Sequence, residues 1–506
     1  MGAEVEIQSA CAAAASATAA FSGMPPADRA AILDAIAAAL EARRGEILDV
    51  CAAETALTIE ELTPEFARMT GTLRMFAAVV REGSWVRAAI DTPGPSPIGP
   101  NHDIRRLLVP LGPVAVFGSS NFPLAYGVCG GDTASALAAG CPVIVKEHPA
   151  HPKTGRLISD IARHAIRSAG CRAELLGYLP HEDPSDFSIA EQLVQHRAIA
   201  AVGFTGSTAG GMALHQLAEK RRYPIPVFAE MGSLNTVFVS ATAFARRAQV
   251  IADEIAASVL ARVGQQCTKP GVVFIAGNNE HWGLHRMISE RLLAATPRRM
   301  LARNVADHYY RRLDTVSKSM GILETTALPT PAQRDAMLGV PVVIAASDIA
   351  MEDSPEVWDE IFGPAIIIAR YNNSAEFQLD GRLGLSVYGE LEDFAYDPER
   401  EDSFSPCEWG RFSEWSARVA SHAGRIIFNG VPTGVRVGFG MVHGGPYPAT
   451  NRPDSTAVGP YAMHRWCRPV CFQNCPDALL PPELQNANPR GIWRVLNGVQ
   501  TKSPVA

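Results

Sequence analysis

The sequence predicts an α/β fold built from two successive parallel-sheet domains and a small arm. Three observations lead there. From about Leu107 onward, apolar runs of about four residues alternate with helical segments, and strand alternating with helix implies right-handed crossovers and a mostly parallel sheet. The alternation restarts after Leu234, which marks a second unit of the same class. The 506 residues are 47% hydrophobic and 19% charged, enough apolar matter for two or three domains and unlike a disordered chain.

The elements follow in order. The first 90 residues read as helical: Ile32, Leu33, Ile36 and Leu40 recur at helical spacing after Pro25-Pro26, with Gly45 as the expected stop. A second helical stretch runs through Leu73, Phe76, Val79 and Val80, and the Pro- and Gly-rich segment 91–103 reads as a connection or exposed arm. The first sheet is expected from strands at 114–117, 143–145, 199–204 and 227–229, with helices at 132–139, 154–168 and 210–220 between them. Thr236 to Val239 opens the second sheet, a helix marked by Ile251, Ile255 and Val259 follows, and strands at 272–275, 342–345 and 366–369 continue it. The chain from Gly438 to Pro453 is dense in Gly and Pro, and the last 30 residues look irregular, as a frayed or partner-wrapped tail does.

Composition narrows the function classes. With 45 basic and 52 acidic residues the net charge is -7, without basic runs, which argues against nucleic acid and anionic membrane as partners. The alanine-rich run from Cys11 to Ala20 is too short to span a bilayer. The ten cysteines form no C-x-x-C pair and are too sparse for a disulfide framework, so reduced thiols in a cytoplasmic protein are expected. Cys467, Cys471 and Cys475 are spaced by four, but Pro469, Val470 and Phe472 between them read as a buried extended segment, and no metal is expected there.

Four local features carry chemistry. Cys267 lies in the loop Gly264-Gln265-Gln266-Cys267-Thr268-Lys269-Pro270-Gly271, between a long helix and a strand, where a rigid scaffold displays a nucleophile; the alternative is an ordinary cysteine. Glu230 ends a strand and Met231-Gly232 follow. Ligand sites of open parallel sheets lie beyond such strand ends, so Glu230 is a candidate base as well as a candidate solvated loop acid. Ser120-Asn121-Phe122-Pro123 ends the Val114 strand, where the Asn121 amide is placed either to donate to a developing oxyanion or to serve a turn. In Phe204-Thr205-Gly206-Ser207-Thr208-Ala209-Gly210, glycines and hydroxyls open a helix and suit a pyrophosphate, although G-x-G-x-x-G is absent.

The set and order of these motifs, together with Val145-Lys146 and Glu360-Ile361-Phe362-Gly363-Pro364, resemble the aldehyde dehydrogenase superfamily across nearly the whole chain. The helix segment Arg68-Met69-Thr70-Gly71-Thr72-Leu73-Arg74-Met75-Phe76 and the run His443-Gly444-Gly445-Pro446-Tyr447-Pro448-Ala449-Thr450 resemble the α-ketoglutaric semialdehyde group, which oxidises 2,5-dioxopentanoate to 2-oxoglutarate. Departures from that group are Gln266, Lys269, Arg436 and Thr72.

The resemblance implies an aldehyde dehydrogenase-like fold: a dinucleotide-binding domain (residues 1–90 and 111–233), a catalytic domain (234–437), an oligomerisation arm (91–110 and 458–475) and a tail (476–506). It implies a thioester mechanism with Cys267 as nucleophile, Glu230 as hydrolytic base and Asn121 as oxyanion donor. NADP or NAD is the expected cofactor, held by Lys146, Gly206, Ser207, Gly232 and Glu360, with Phe362 bordering the nicotinamide. Phe122 and either Arg68 or Arg74 are expected on the substrate side. Pro149 stands three residues after Lys146, where many NAD-preferring members carry a glutamate, and His148 or Lys153 is expected to favour a 2′-phosphate. A homodimer or homotetramer is expected, through strands near 105–109 and 465–472. Other semialdehydes or fatty aldehydes, coenzyme A acylation and a non-catalytic binding protein of the same fold are the competing readings.

Overall fold

The computed structural model describes residues 2–94, 98–181, 186–276, 282–371, 380–394 and 419–505. The first sheet is five-stranded and parallel, in the order Leu176–Leu179, Val143–Lys146, Val114–Phe117, Ala201–Thr205, Val227–Glu230. Val114–Phe117 is first in the chain but central in the sheet. The chain therefore winds outward in both directions from it, and the crevice at this reversal is where open α/β sheets bind ligands. Helices Gly131–Ala139 and Pro152–Ser168 form as expected, the former stopped by Gly140 in the left-handed region. The strand Leu176–Leu179 was not legible: only its two ends are fully buried, so no four-residue apolar run announces it.

The second sheet has seven strands, in the order Ile322–Thr325, Val342–Ala346, Ala365–Tyr371, Pro270–Ala276, Asn235–Val239, Arg382–Tyr388, Ala423–Phe428. Only the first of these is antiparallel to its neighbour. Arg382–Tyr388 is buried along its whole length despite its arginine and serine, and Ala423–Phe428 is an edge strand; neither was read from sequence.

A third sheet makes the arm, in the order Cys467–Gln473, Ile104–Pro110, Ala89–Asp91, Arg494–Leu496, Val499–Thr501. It corrects several expectations. The tail is not irregular throughout: it supplies two strands, because the Arg494 guanidinium is buried and donates to the carbonyls of Glu483, Asn486 and Ser503, at 3.5, 3.3 and 3.2 Å. The segment around Cys471 is extended but not buried; it is an edge strand, a place where Pro469 is tolerated because an edge N–H has no obligatory partner. Its pleat spaces Cys467 and Cys471 about 13 Å apart, too far to share an ion. The arm begins at Ala89, inside the range assigned to the cofactor domain. Residues 460–466 belong to that domain instead: the Trp466 indole donates to Ser135 and Arg465 pairs with Asp132, both on its central helix. Gly45 stops nothing; the break falls at Arg43, and Gly45 lies inside the next helix, Arg44–Glu54.

Among the described residues no helix is long and apolar enough to cross a membrane, and the described cysteines are all free.

Candidate active site

Cys267 sits just past a tight left-handed turn. Arg262, Val263 and Gly264 all have positive φ, at 53°, 58° and 65°. Two of these are not glycine and Val263 is β-branched, so the turn stores strain that its surroundings must hold. Gly264 is required: a Cβ there would meet the Gly363 carbonyl carbon at 2.3 Å. The surrounding bonds are numerous. Glu65, buried on the helix Ile59–Glu82, accepts from the Leu124 and Ala125 N–H groups (2.8 and 3.0 Å) and pairs with Arg262 Nη2 at 2.5 Å. Arg262 also donates to the Asn121 carbonyl (3.1 Å) and lies over the Phe122 ring. From the other side Asn235 Nδ2 donates to the Cys267 and Lys269 carbonyls, at 2.7 and 2.9 Å. The nucleophile loop is thus tied to the Asn121 loop and to the second sheet.

The Asn121 amide donates one bond to the Gln265 carbonyl, 3.0 Å away. Among the described residues its second N–H and the Cys267 N–H make no hydrogen bond, so both remain available to an oxyanion. Phe122 is half-buried, with Arg262 over one face of its ring and Tyr126 edge-on to it.

Three reactive side chains converge. Cys267 Sγ lies 3.8 Å from His443 Nε2, and His443 Nε2 lies 2.8 Å from Glu230 Oε1. Glu230 and His443 are both buried. The imidazole is close enough for an ion pair but not aligned for a hydrogen bond, and among the described residues neither Glu230 oxygen has a hydrogen-bond partner. Burial, then the Glu230 and Glu360 charges, push the Cys267 thiol well above its ordinary range, with Arg68 opposing. Such a thiol requires an adjacent base.

His443 belongs to the motif His443–Thr450, whose sequence alone points to no role for the imidazole. The Gly- and Pro-dense segment that carries it folds back onto the first sheet: Met231 N–H donates to the Ala449 carbonyl (2.9 Å), and Asn451 bonds both Ala229 and Val227. Gly445, at φ 147°, lets this segment pack against the second sheet, where a Cβ would strike the Arg382 carbonyl at 2.4 Å. Asn235 and Glu65 were missed as well. A lone polar residue in a strand and one acid among several on a helix carry no local signal of their partners.

The residues expected at the cofactor site divide in two. Lys146 ends its strand at the crevice with its ammonium against His181, and burial pushes it down to about 8. Gly206 and Ser207 are exposed, and Ser207 caps the helix Thr208–Glu219 by accepting from Gly210 N–H. Gly232 lies against Glu360: a Cβ on it would meet Oε2 at 2.6 Å. Glu360 Oε1 is buried without a partner, and burial raises its carboxyl to about 7 against the pull of Lys269. An orphaned carboxylate oxygen suits ribose hydroxyls, and an exposed, capped helix N-terminus suits a pyrophosphate. These residues fit a nicotinamide dinucleotide. Phe362 is half-buried on the same loop as Glu360.

Some expectations fail. Arg74 is not at the site; it pairs with Glu41 and Asp34 on the outside, because six residues beyond Arg68 is about 240° around the helix. Arg68 faces the site, where its guanidinium donates to Tyr126 OH (3.0 Å) and the Val435 carbonyl (3.4 Å). Burial and then the stacked His151 push the His148 imidazole well below its ordinary range, which disfavours the charge expected of it. Glu147 turns inward to Arg156 and Tyr178, away from any ribose.

The family model for the aldehyde dehydrogenase family matches residues 1–295. The chain is 40% identical to an alpha-ketoglutaric semialdehyde dehydrogenase 2 of Azospirillum brasilense, over 98% of this chain and 92% of that one. It is 35% identical to an alpha-ketoglutaric semialdehyde dehydrogenase of Acinetobacter baylyi, over 94% and 88%. The chain belongs to the aldehyde dehydrogenase family. Its fold is similar to aldehyde dehydrogenase 21 of Physcomitrella patens, solved with succinate, at TM-score 0.72 and 19% identity over 93% and 90% of the two chains. It is an NAD(P)-dependent enzyme that oxidises an aldehyde to a carboxylic acid.

Proposed function

We propose that the protein oxidises 2,5-dioxopentanoate to 2-oxoglutarate. The convergence of Cys267, His443 and Glu230 carries the chemistry, and the two semialdehyde dehydrogenase relatives support the substrate. Arg68, held toward the site by Tyr126, supplies a guanidinium for a substrate carboxylate.

His443 Nε2 takes the Cys267 proton, and the Glu230 carboxylate beside it stabilises the imidazolium. The thiolate attacks the aldehyde carbon, and the Cys267 N–H and Asn121 amide receive the oxyanion; each such donor is typically worth about 10²–10³ in rate. The chemistry supplied by a bound NADP or NAD is hydride acceptance, which leaves a thioester on Cys267. Glu230 then deprotonates a water, which attacks the thioester; the acid leaves and the thiol is restored. Glu230 also speaks against coenzyme A as acyl acceptor.

Lys146 and Glu360 would hold ribose hydroxyls, with Gly206 and Ser207 at the pyrophosphate. Pro149 supplies no acid and Glu147 is turned inward to Arg156, so neither repels a 2′-phosphate, and the exposed Lys153 stands nearby as a cation. NADP is expected to reach a kcat/KM within about tenfold of NAD or better, about 1.4 kcal/mol; a preference for NAD of about a hundredfold would refute this. The arm's exposed edge strands, Cys467–Gln473 and Val499–Thr501, are the surfaces proposed for a homodimer or homotetramer, and the free thiols support a cytoplasmic setting.

The deciding experiment assays purified protein on dioxopentanoate, succinic semialdehyde and a long-chain aldehyde, with both cofactors and with and without coenzyme A. Highest kcat/KM on dioxopentanoate, yielding free acid, is expected. A long-chain aldehyde preferred tenfold, or an acyl-coenzyme A product, removes the reading.

A further inference from the structure

We propose that Cys267, His443 and Glu230 also form a binding site for one zinc-class divalent cation, whose occupation silences the enzyme. One donor atom from each residue lies within 4.8 Å of the other two. Donors on a tetrahedral zinc sphere, at about 2.0–2.3 Å from the ion, stand about 3.3–3.6 Å from one another. The distances of 3.8 Å between thiol and imidazole and 2.8 Å between imidazole and carboxylate bracket that spacing, and with the thiol and carboxylate within 4.8 Å, side-chain shifts of about an ångström complete the sphere.

The donor chemistry selects the ion. Thiolate and imidazole suit zinc and its neighbours, whereas calcium and magnesium take oxygen ligands. A second observation points the same way: among the described residues neither buried Glu230 oxygen has an aligned hydrogen bond, although His443 Nε2 stands 2.8 Å from Oε1. A buried carboxylate left unsatisfied is costly, and a cation between it and the imidazole would satisfy it. Three protein ligands leave a fourth position open to water, unlike the closed four-ligand sphere of structural zinc sites. Arg68 and Arg425 place positive charge toward this centre, and Glu360 and Glu230 oppose it.

On binding, the ion displaces the thiol proton to solvent and takes the sulfur lone pair. It also occupies His443 and the Glu230 carboxylate. The nucleophile, its base and the hydrolytic base are removed together, so inhibition is competitive with aldehyde and reversed by chelator.

The test titrates chelator-treated full-length protein with Co²⁺ as the spectroscopic probe and then displaces it with Zn²⁺. One equivalent should produce a thiolate-to-cobalt charge-transfer band. Cys267→Ser should abolish that band, and Glu230→Gln and His443→Ala should each weaken binding at least tenfold. His443→Gln serves in place of the alanine variant if circular dichroism shows the latter unfolded. A band that survives in Cys267→Ser places the ion on another cysteine and overturns the site. So does the absence of saturable binding, or an affinity unchanged in both ligand variants. Turnover of metal-free enzyme is followed in parallel. Lost cobalt binding with intact aldehyde oxidation defeats only the metal site, and cobalt binding without aldehyde oxidation defeats only the proposed function.

Discussion

The loop that carries Cys267 and the strand end that carries Glu230 face each other across the active site, yet they are restrained in opposite ways. Around the nucleophile, Glu65, Asn121, Arg262 and Asn235 tie the backbone from both domains and hold three consecutive residues in the left-handed region. Around Glu230 the backbone is held by Asn451 and Ala449, but the carboxylate itself makes no hydrogen bond. A nucleophile attacks along one line, so its loop is clamped. A carboxylate that must stabilise an imidazolium and later deprotonate water cannot be locked to a single donor.

The largest expected effect removes the clamped atom. Cys267→Ala should reduce kcat below a few per cent of wild type with unchanged thermal unfolding, because the clamp acts through backbone carbonyls and not the thiol. Retained turnover would end the assignment of Cys267.

Next come the two side chains on the loosely bonded side. General acid–base groups are worth about 10²–10⁴ in rate. Glu230→Gln should give a pre-steady-state burst of reduced cofactor and an acyl-enzyme seen by intact mass, while His443→Gln should slow acylation with no burst. Identical pre-steady-state traces for the two variants would show that their roles are not divided in this way.

The clamp itself is probed by Glu65→Gln. Removing one partner of a buried ion pair typically costs about 3–5 kcal/mol, so denaturant unfolding should move by about that much, with kcat falling as the Asn121 and Cys267 loops lose register. If stability is unchanged, the strained turn is held by something else.

The smallest effect concerns specificity. Arg68→Ala should raise KM for a carboxylated aldehyde about tenfold and leave a neutral aldehyde nearly unaffected, while Arg74→Ala changes neither. Equal shifts for both aldehydes would make Arg68 a support for Tyr126 rather than a carboxylate ligand.

Much of the fold was legible because it is written locally. Val114–Phe117 and Ala365–Tyr371 contain unbroken apolar runs, Glu230, Lys146 and Ser207 stand at a strand end or a helix start, and Cys267 and Asn121 lie in short loops beside a strand. Arg382–Tyr388 carries no local signal because Arg382 and Ser386 interrupt its apolar run; both are buried all the same, with the Arg382 guanidinium over the Trp358 ring.

Sequence by itself determined the two-domain α/β class, because alternating strands and helices are written locally, and it nominated Cys267, Glu230 and Asn121 as nucleophile, base and oxyanion amide through the set and order of their motifs. Tertiary structure alone decided that His443 joins Cys267 and Glu230, that Glu65 and Arg262 brace a strained turn, that Arg68 and not Arg74 faces the site, and that the tail completes the arm. Those contacts join residues 176 to 213 positions apart in the first two cases, and helix phase and the return of the Gly- and Pro-rich segment decide the others. No local pattern encodes such meetings, since they arise only when separate elements pack.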